Sequence, residues 1–399
     1  MRVLFTVQPS TGHLHPLVPA ARALEEAGHE VAVCSSASFR EEVEAFGLKH
    51  FAAGLDWLTG DHSTWTAFPP MPAPGPEFAK FVVTVFADIT TARMVPDLLD
   101  IAHEWRPDLI IREHFEFGGC IAAEVLGIPH ASIAGNAYSA VDSPHIKYFP
   151  GNRLMVAEAM ARHRAQFGLP PDPDVLMPFR RLHIAFTPAS WDADGSPRPA
   201  NLRHFRHTSA VRPGARLAEW VGQLPDRPTV FASLGTVFNN TPGVLEAIVS
   251  GLAEEPINLI VAIGRNGDAA RFGAVPENVR LEPYVEQPLL LEHCDAFVTH
   301  GGFNSVKEAA ILGVPMVVVP ITADQPYSAE RCAALGIGRA LGADSRTPET
   351  IRSAVVAVLQ EPGYRESAQR FQAEMLALPG AAELVGVIEQ TARDGAAIA

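Results

Sequence analysis

His300-Gly301-Gly302-Phe303-Asn304-Ser305-Val306-Lys307-Glu308, continuing through Gly313-Val314-Pro315 and Pro320 to Asp324-Gln325, decides the reading of this chain. Upstream, Asp295-Ala296-Phe297-Val298-Thr299 is a short apolar run of strand character leading straight into the glycine pair. Glycines, lacking Cβ atoms, let the main chain come close to a ligand. Asn304 and Ser305 suit a helix start, where unpaired N–H groups and the positive dipole end attract phosphate without a lysine. Gly313 predicts the helix end and Val314-Pro315 breaks it. Residues 316–319 then form a buried strand, and 320–325 emerge at its carboxyl end, where open α/β sheets bind ligands. The segment reads as a seat for a diphosphate and a sugar.

The same alternation of elements occurs twice. Near the N-terminus a strand over 3–7, a glycine-bearing turn at 10–12, a helix through Leu17, Ala20, Ala21 and Leu24, and a strand over 30–34 make a βαβ unit. A strand over 107–111, a helix over 118–126 and a strand over 128–133 extend it, which implies a parallel sheet. The pattern restarts near Pro228 with a strand over 229–233, a helix over 244–253 and strands over 258–263 and 296–299. Between them, Arg212-Pro213-Gly214 and Leu224-Pro225-Asp226-Arg227-Pro228 suit a linker. The expected division is therefore 1–207, a linker over 208–227, and 228–380, followed by an amphipathic helix within 381–399. The first half has no Gly-x-Gly-x-x-Gly, so no dinucleotide cofactor is expected.

Composition narrows the class further. With 399 residues the chain is long enough for two domains with their own cores. A net charge of −14 without any cluster of Lys and Arg argues against a nucleic-acid partner. Cys34, Cys120, Cys294 and Cys332 are scattered, without the spacing of a zinc site or a disulfide framework, so a reducing cytoplasm is expected. No apolar run reaches the length of a membrane span and no signal peptide is read, so no membrane partner is expected.

The signature resembles the donor-binding signature of the family 1 glycosyltransferases: His-Gly-Gly-x-x-Ser-x-x-Glu, then Gly-Val-Pro, Pro and Asp-Gln. Nearly every position is matched, and Gly12-His13-Leu14-His15-Pro16, just past the first strand, is similar to that family's Gly-His-x-x-Pro. The resemblance implies the GT-B fold, two facing Rossmann-like domains with a cleft between them, the last helix packing back on the first domain. It also implies His13 as general base, a role a neutral imidazole can fill near its ordinary pKa. The family places an aspartate behind that base; here Glu113 stands at the position, with Glu116 and His114 as competing neighbours. Donor-binding residues carried over are Ser233, Thr236, His300, Gly301, Gly302, Asn304 and Ser305 at the phosphates, Glu308 at the ribose, and Asp324 and Gln325 at the sugar. Tyr284-Val285-Glu286-Gln287 matches the family's Trp-x-Pro-Gln in part, so Tyr284 either stacks on the base or simply packs, with Gln287 beside it.

For the acceptor, the stretch 57–86 concentrates Trp57, Trp65, Phe68, Met71 and Phe81 among prolines. These either line a site for a flat apolar aglycone or pack into the core. No metal is expected. Asp192-Ala193-Asp194 sits among Gly195, Pro197 and Pro199 rather than after a buried strand, and His13 with His15 lacks a third ligand. The expectation is an inverting transferase of the antibiotic-tailoring branch, using a dTDP- or UDP-sugar and a small-molecule aglycone, as a monomer or homodimer. Competing readings are a nucleotide-sugar epimerase, a lipid-acceptor transferase, and a non-catalytic partner of another transferase.

Overall fold

The computed structural model describes residues 1–57, 67–70, 72, 76–134, 152–192, 198–236, 241–265 and 267–396. The chain divides into two compact units, Met1–Arg206 with Pro379–Ala399, and His207–Leu378.

In the first unit, β1 (Arg2–Thr6), β2 (Glu30–Ser35), β3 (Lys49–Ala52), β4 (Leu109–Glu113), β5 (His130–Ile133), β6 (Leu182–Ala185) and β7 (Leu202–His204) form one sheet in the order β3-β2-β1-β4-β5-β6-β7. Every pairing is parallel. β4 is buried along its whole length, as a strand covered on both faces by helices must be. Leu4 and Ile110 pack under the helices Thr90–Trp105 and Gly118–Leu126 with Met94, Leu98, Ala122 and Ala123. The sequence predicts four of these strands; β3, β6 and β7 are too short and mixed in composition to announce themselves.

In the second unit, β8 (Thr229–Ser233), β9 (Asn258–Ala262), β10 (Val279–Glu282), β11 (Ala296–Thr299), β12 (Met316–Val318) and β13 (Gly338–Ala340) pair in the order β10-β9-β8-β11-β12-β13, again all parallel. Val230, Ile248, Leu252, Ile351 and Val355 belong to its core, between the sheet and the helices Val244–Leu252 and Pro348–Gln360. The stretch 208–227 is a correction to the expected linker. It belongs to the second unit, where Asn258 Nδ2 donates to the carbonyls of Pro225 and Arg227 and the Arg280 guanidinium lies 4.2 Å from the Trp220 ring centroid.

Two features bear on function. The helix Pro76–Val83 passes through a π-helical turn, Thr84–Ile89, before continuing as Thr90–Trp105. The hydroxyls of Thr90 and Thr91 both donate to the Phe86 carbonyl within this turn. The last helix, Ala381–Ala396, belongs to the first unit and packs on Val18–Glu26 and β5 through buried Leu384 and Ile388, with His29 Nε2 3.0 Å from Glu389 Oε1. Among the described residues no single helix is long and apolar enough to cross a membrane.

Ile388 is fully buried. Ile388→Ala is expected to cost about 2–5 kcal/mol in urea unfolding, from lost transfer energy and the cavity left behind. An unchanged midpoint would mean that this helix contributes little to the first unit.

Candidate active site

In each sheet some of the sequence-predicted site residues lie at the carboxyl ends of the two neighbouring strands where the strand order reverses, while Tyr284 and Gln287 follow β10 and Asp324 and Gln325 follow β12. In the first unit those strands are β1 and β4. Past β1 the sequence predicts an open turn, but the chain closes a one-turn helix, Thr11–Leu14, whose Leu14 is buried while the His13 side chain stays partly exposed. His13 Nδ1 stands 3.0 Å from Oε1 of Glu113, the fully buried last residue of β4. The other oxygen, Oε2, accepts the Phe115 N–H at 2.8 Å. The separation of His13 and Glu113 is that of an ion pair.

The competing neighbours are engaged elsewhere. Glu116 accepts from Gly118 N–H at 2.6 Å, from Gly119 N–H at 2.8 Å and from the Thr6 hydroxyl, so it caps the helix Gly118–Leu126. His114 turns toward His183, and burial, reinforced by His183 and Arg112, holds its pKa well below the usual imidazole range. His15 packs edge-on against Phe46.

The aromatic residues form a continuous wall. Phe86 stacks on His13 with ring centroids 5.8 Å apart, and Phe115 lies 6.3 Å from the same ring. Behind Phe86 comes Trp57, whose indole N–H donates to Gln8 Oε1 at 3.0 Å and whose ring stacks on Phe68. Of the two readings of the aromatic stretch, core packing holds for Trp57, Phe68 and Phe81, which are buried in one hydrophobic cluster. The residues that touch His13 are Phe86 and Phe115, which sequence reasoning did not assign. The signals were present, because Phe86 falls in the aromatic-rich stretch and Phe115 follows Glu113 by two positions. Trp65, Met71 and Asp194 lie outside the described residues.

In the second unit the corresponding strands are β8 and β11. Ser233 ends β8, its Oγ accepting Gly235 N–H at 3.3 Å, and Thr236 is exposed just beyond. His300 follows β11 and is buried, which lowers its pKa to about 4 and keeps the imidazole neutral. Its ring sits between two glycines: a Cβ on Gly235 would fall 2.7 Å from Cε1, and one on Gly302 only 2.4 Å from Nε2. Gly301 has φ 86°, a left-handed conformation that glycine takes at no steric cost. The helix then starts at Phe303, one residue ahead of the expected Asn304, with Gly302 at its N-cap position.

Gln287 Nε2 donates to Ser305 Oγ at 3.2 Å and to Glu308 Oε2 at 2.6 Å, tying these three signature residues together. Burial raises the Glu308 carboxyl to about 7 against the opposing pull of Gln287 and Lys307. Half-buried Asp324 occupies the N-cap position of the next helix, Gln325–Ala334, without a side-chain cap bond, after Ala323 at φ 57°, a conformation uncommon outside glycine. Gln325 Oε1 accepts from the N–H groups of Ile321 and Thr322 at 2.7 and 3.0 Å, so this carbonyl shapes the loop that presents Asp324. Tyr284 is exposed, its hydroxyl donates to Glu286 at 2.9 Å, and the Arg265 guanidinium lies 4.0 Å from its ring centroid. Arg265 gave no motif signal.

Two family models match, those of the erythromycin biosynthesis protein CIII-like C-terminal domain over residues 246–391 and N-terminal domain over 77–197. The 3-alpha-mycarosylerythronolide B desosaminyl transferase of Saccharopolyspora erythraea is 30% identical, with 98% of each chain covered. The chain belongs to the family 1 glycosyltransferases, in the branch that tailors bacterial natural products. The 4'-demethylrebeccamycin synthase of Lentzea aerocolonigenes is likewise 30% identical over 97% of this chain and 99% of its own. The crystal structure of the glycosyltransferase VinC in complex with dTDP is 27% identical, with a TM-score of 0.80 over 99% of this chain and all of that one. The two parallel-sheet units of this glycosyltransferase are thus those of the GT-B fold.

Gly302→Ala is expected to force the His300 ring from its slot and to lower stability by about 1–3 kcal/mol, the cost of overpacking a filled site. Urea unfolding with an unchanged midpoint would show that the ring has room to move.

Proposed function

We propose that this glycosyltransferase transfers a sugar from a dTDP- or UDP-sugar to a hydroxyl of an apolar natural-product aglycone, with inversion and without a metal ion. His13 Nε2 takes the acceptor's hydroxyl proton as the oxygen bonds to the anomeric carbon. The bond from that carbon to the diphosphate oxygen breaks on the opposite face, and the nucleoside diphosphate leaves with the electron pair. Glu113, 3.0 Å behind His13, stabilises the imidazolium that forms. This pair, set beside the stacked ring of Phe86, is the observation that carries the reading.

The donor's diphosphate is assigned to Gly301, Gly302, Asn304 and Ser305, with Ser233, Thr236 and the neutral His300 beside them. Glu308 with Gln287 is assigned to the ribose, Tyr284 to the base, and Asp324 with Gln325 to the sugar hydroxyls. A dTDP donor is supported by the complex of VinC with dTDP. An aglycone built largely of apolar surface suits the rings of Phe86 and Phe115 beside His13, and the two curated relatives named above carry names of natural-product tailoring enzymes.

His13→Ala is expected to bind nucleotide as the parent does while transfer falls by about 100- to 10,000-fold, the usual worth of a positioned base. Binding is read by thermal shift, since a nucleotide at about 100 times its Kd adds about 2.7 kcal/mol to stability. A larger shift with dTDP than with UDP is expected. Full transfer by His13→Ala, with product mass as the readout, would remove His13 from the mechanism.

A further inference from the structure

Arg112 is the penultimate residue of β4, buried throughout, in a strand whose other interior positions are Leu109, Ile110 and Ile111. An arginine at such a place is unusual unless its charge is used. Its hydrogen bonds run to main-chain carbonyls: Nη1 donates to Glu113 at 3.1 Å, His114 at 2.7 Å and Glu116 at 3.2 Å, and Nη2 to Pro178 at 3.0 Å. Three of these four acceptors lie on the turn that carries Glu113. The guanidinium therefore clamps the segment that presents a carboxylate to His13.

The charges around it add a second effect. Glu113 and Glu116 are both fully buried on this turn, and Glu116 is held as an acceptor by two N–H groups and the Thr6 hydroxyl. Other titratable groups facing the cluster are His114 on the turn, Cys120 on the following helix, Cys34 of β2, His130 of β5 and His183 of β6. Burial and Arg112 drive His114 well down and His130 to about 3, so both are neutral, and burial keeps the two thiols protonated. His183 Nδ1 lies 2.6 Å from the Ser132 hydroxyl. Farther out, Arg180 is occupied with Glu124 and Asp172. Burial raises the Glu116 carboxyl, opposed by the Thr6 hydroxyl, the Gly119 N–H and Arg112, so one buried cation faces two buried carboxyl groups.

We propose that Arg112 is a positioning residue for proton transfer: it clamps the turn bearing Glu113 and offsets one of the two buried carboxylates, so that His13 remains unprotonated until the acceptor's proton arrives. The inference rests on His13 as base. Without Arg112, the carboxylates would draw a proton onto His13 before any acceptor bound, and the base would be spent near neutral pH.

The test uses the full chain labelled with 13C,15N-histidine, with the His13 ring signal assigned by its loss in His13→Ala and titrated by NMR in the absence of ligand. Arg112→Met is expected to raise the His13 midpoint by about one pH unit, and Glu116→Gln to lower it, each in proportion to the charge removed. Arg112→Lys, which keeps the charge, should leave the midpoint within a few tenths of a unit of the parent. A merely structural arginine would not produce shifts of opposite sign. An unmoved midpoint in Arg112→Met and Glu116→Gln overturns the proposal; if Arg112→Met fails to fold, absence of a downward shift in Glu116→Gln overturns it alone. Because no donor or acceptor is present, this outcome is separate from the transfer assay on His13→Ala, which decides the base itself.

Discussion

The pairing of β1 with β4, and of β8 with β11, is the constraint on which the rest depends. In each sheet the strand order turns outward in opposite directions from that pair, so the connecting helices leave on opposite faces and the two carboxyl ends stand side by side. Side chains separated by 100 residues then become neighbours, as His13 and Glu113 do at 3.0 Å. Ser233, Gly235 and His300 are gathered in the same way in the second unit.

Charge is handled differently at the two places. In the second unit burial keeps His300 neutral, and on the helix Phe303–Ile311 it lowers the Lys307 ammonium to about 7 and raises the Glu308 carboxyl to about 7, so each is pushed toward its uncharged form. In the first unit full charges are buried, and Arg112 is tied to main-chain carbonyls while Glu116 is tied to main-chain N–H groups. Main-chain atoms hold both ions in register because the turn between them is short.

The second unit was the more legible in sequence. The signature is local: strand, glycine pair, helix start and the next loop all follow within about 25 residues, and the turn and capping chemistry of each residue type acts over that range. The first unit was less legible. Gly12-His13 marked one half of the pair, but the choice among Glu113, His114 and Glu116 depended on which of them the Arg112 clamp and the helix N-terminus had already taken. The aromatic stretch was read as a concentration of rings that either line an acceptor site or pack into the core; Trp57, Phe68 and Phe81 are buried, with Trp57 against Phe86 and Phe86 against His13.

By itself, the sequence determined the alternation of strands and helices, the doubling of that pattern, the helix that follows the Gly301-Gly302 pair and the candidate histidine at position 13. All of these are set by neighbours within a few turns of chain, where propensity and steric limits act directly. Tertiary structure decided which carboxylate reaches His13, which phenylalanines flank it, and that Arg112 is an interior cation. These depend on contacts across β1, β4 and β6, and parallel strands can be joined only by long crossovers that carry no record in the local sequence of what will lie opposite.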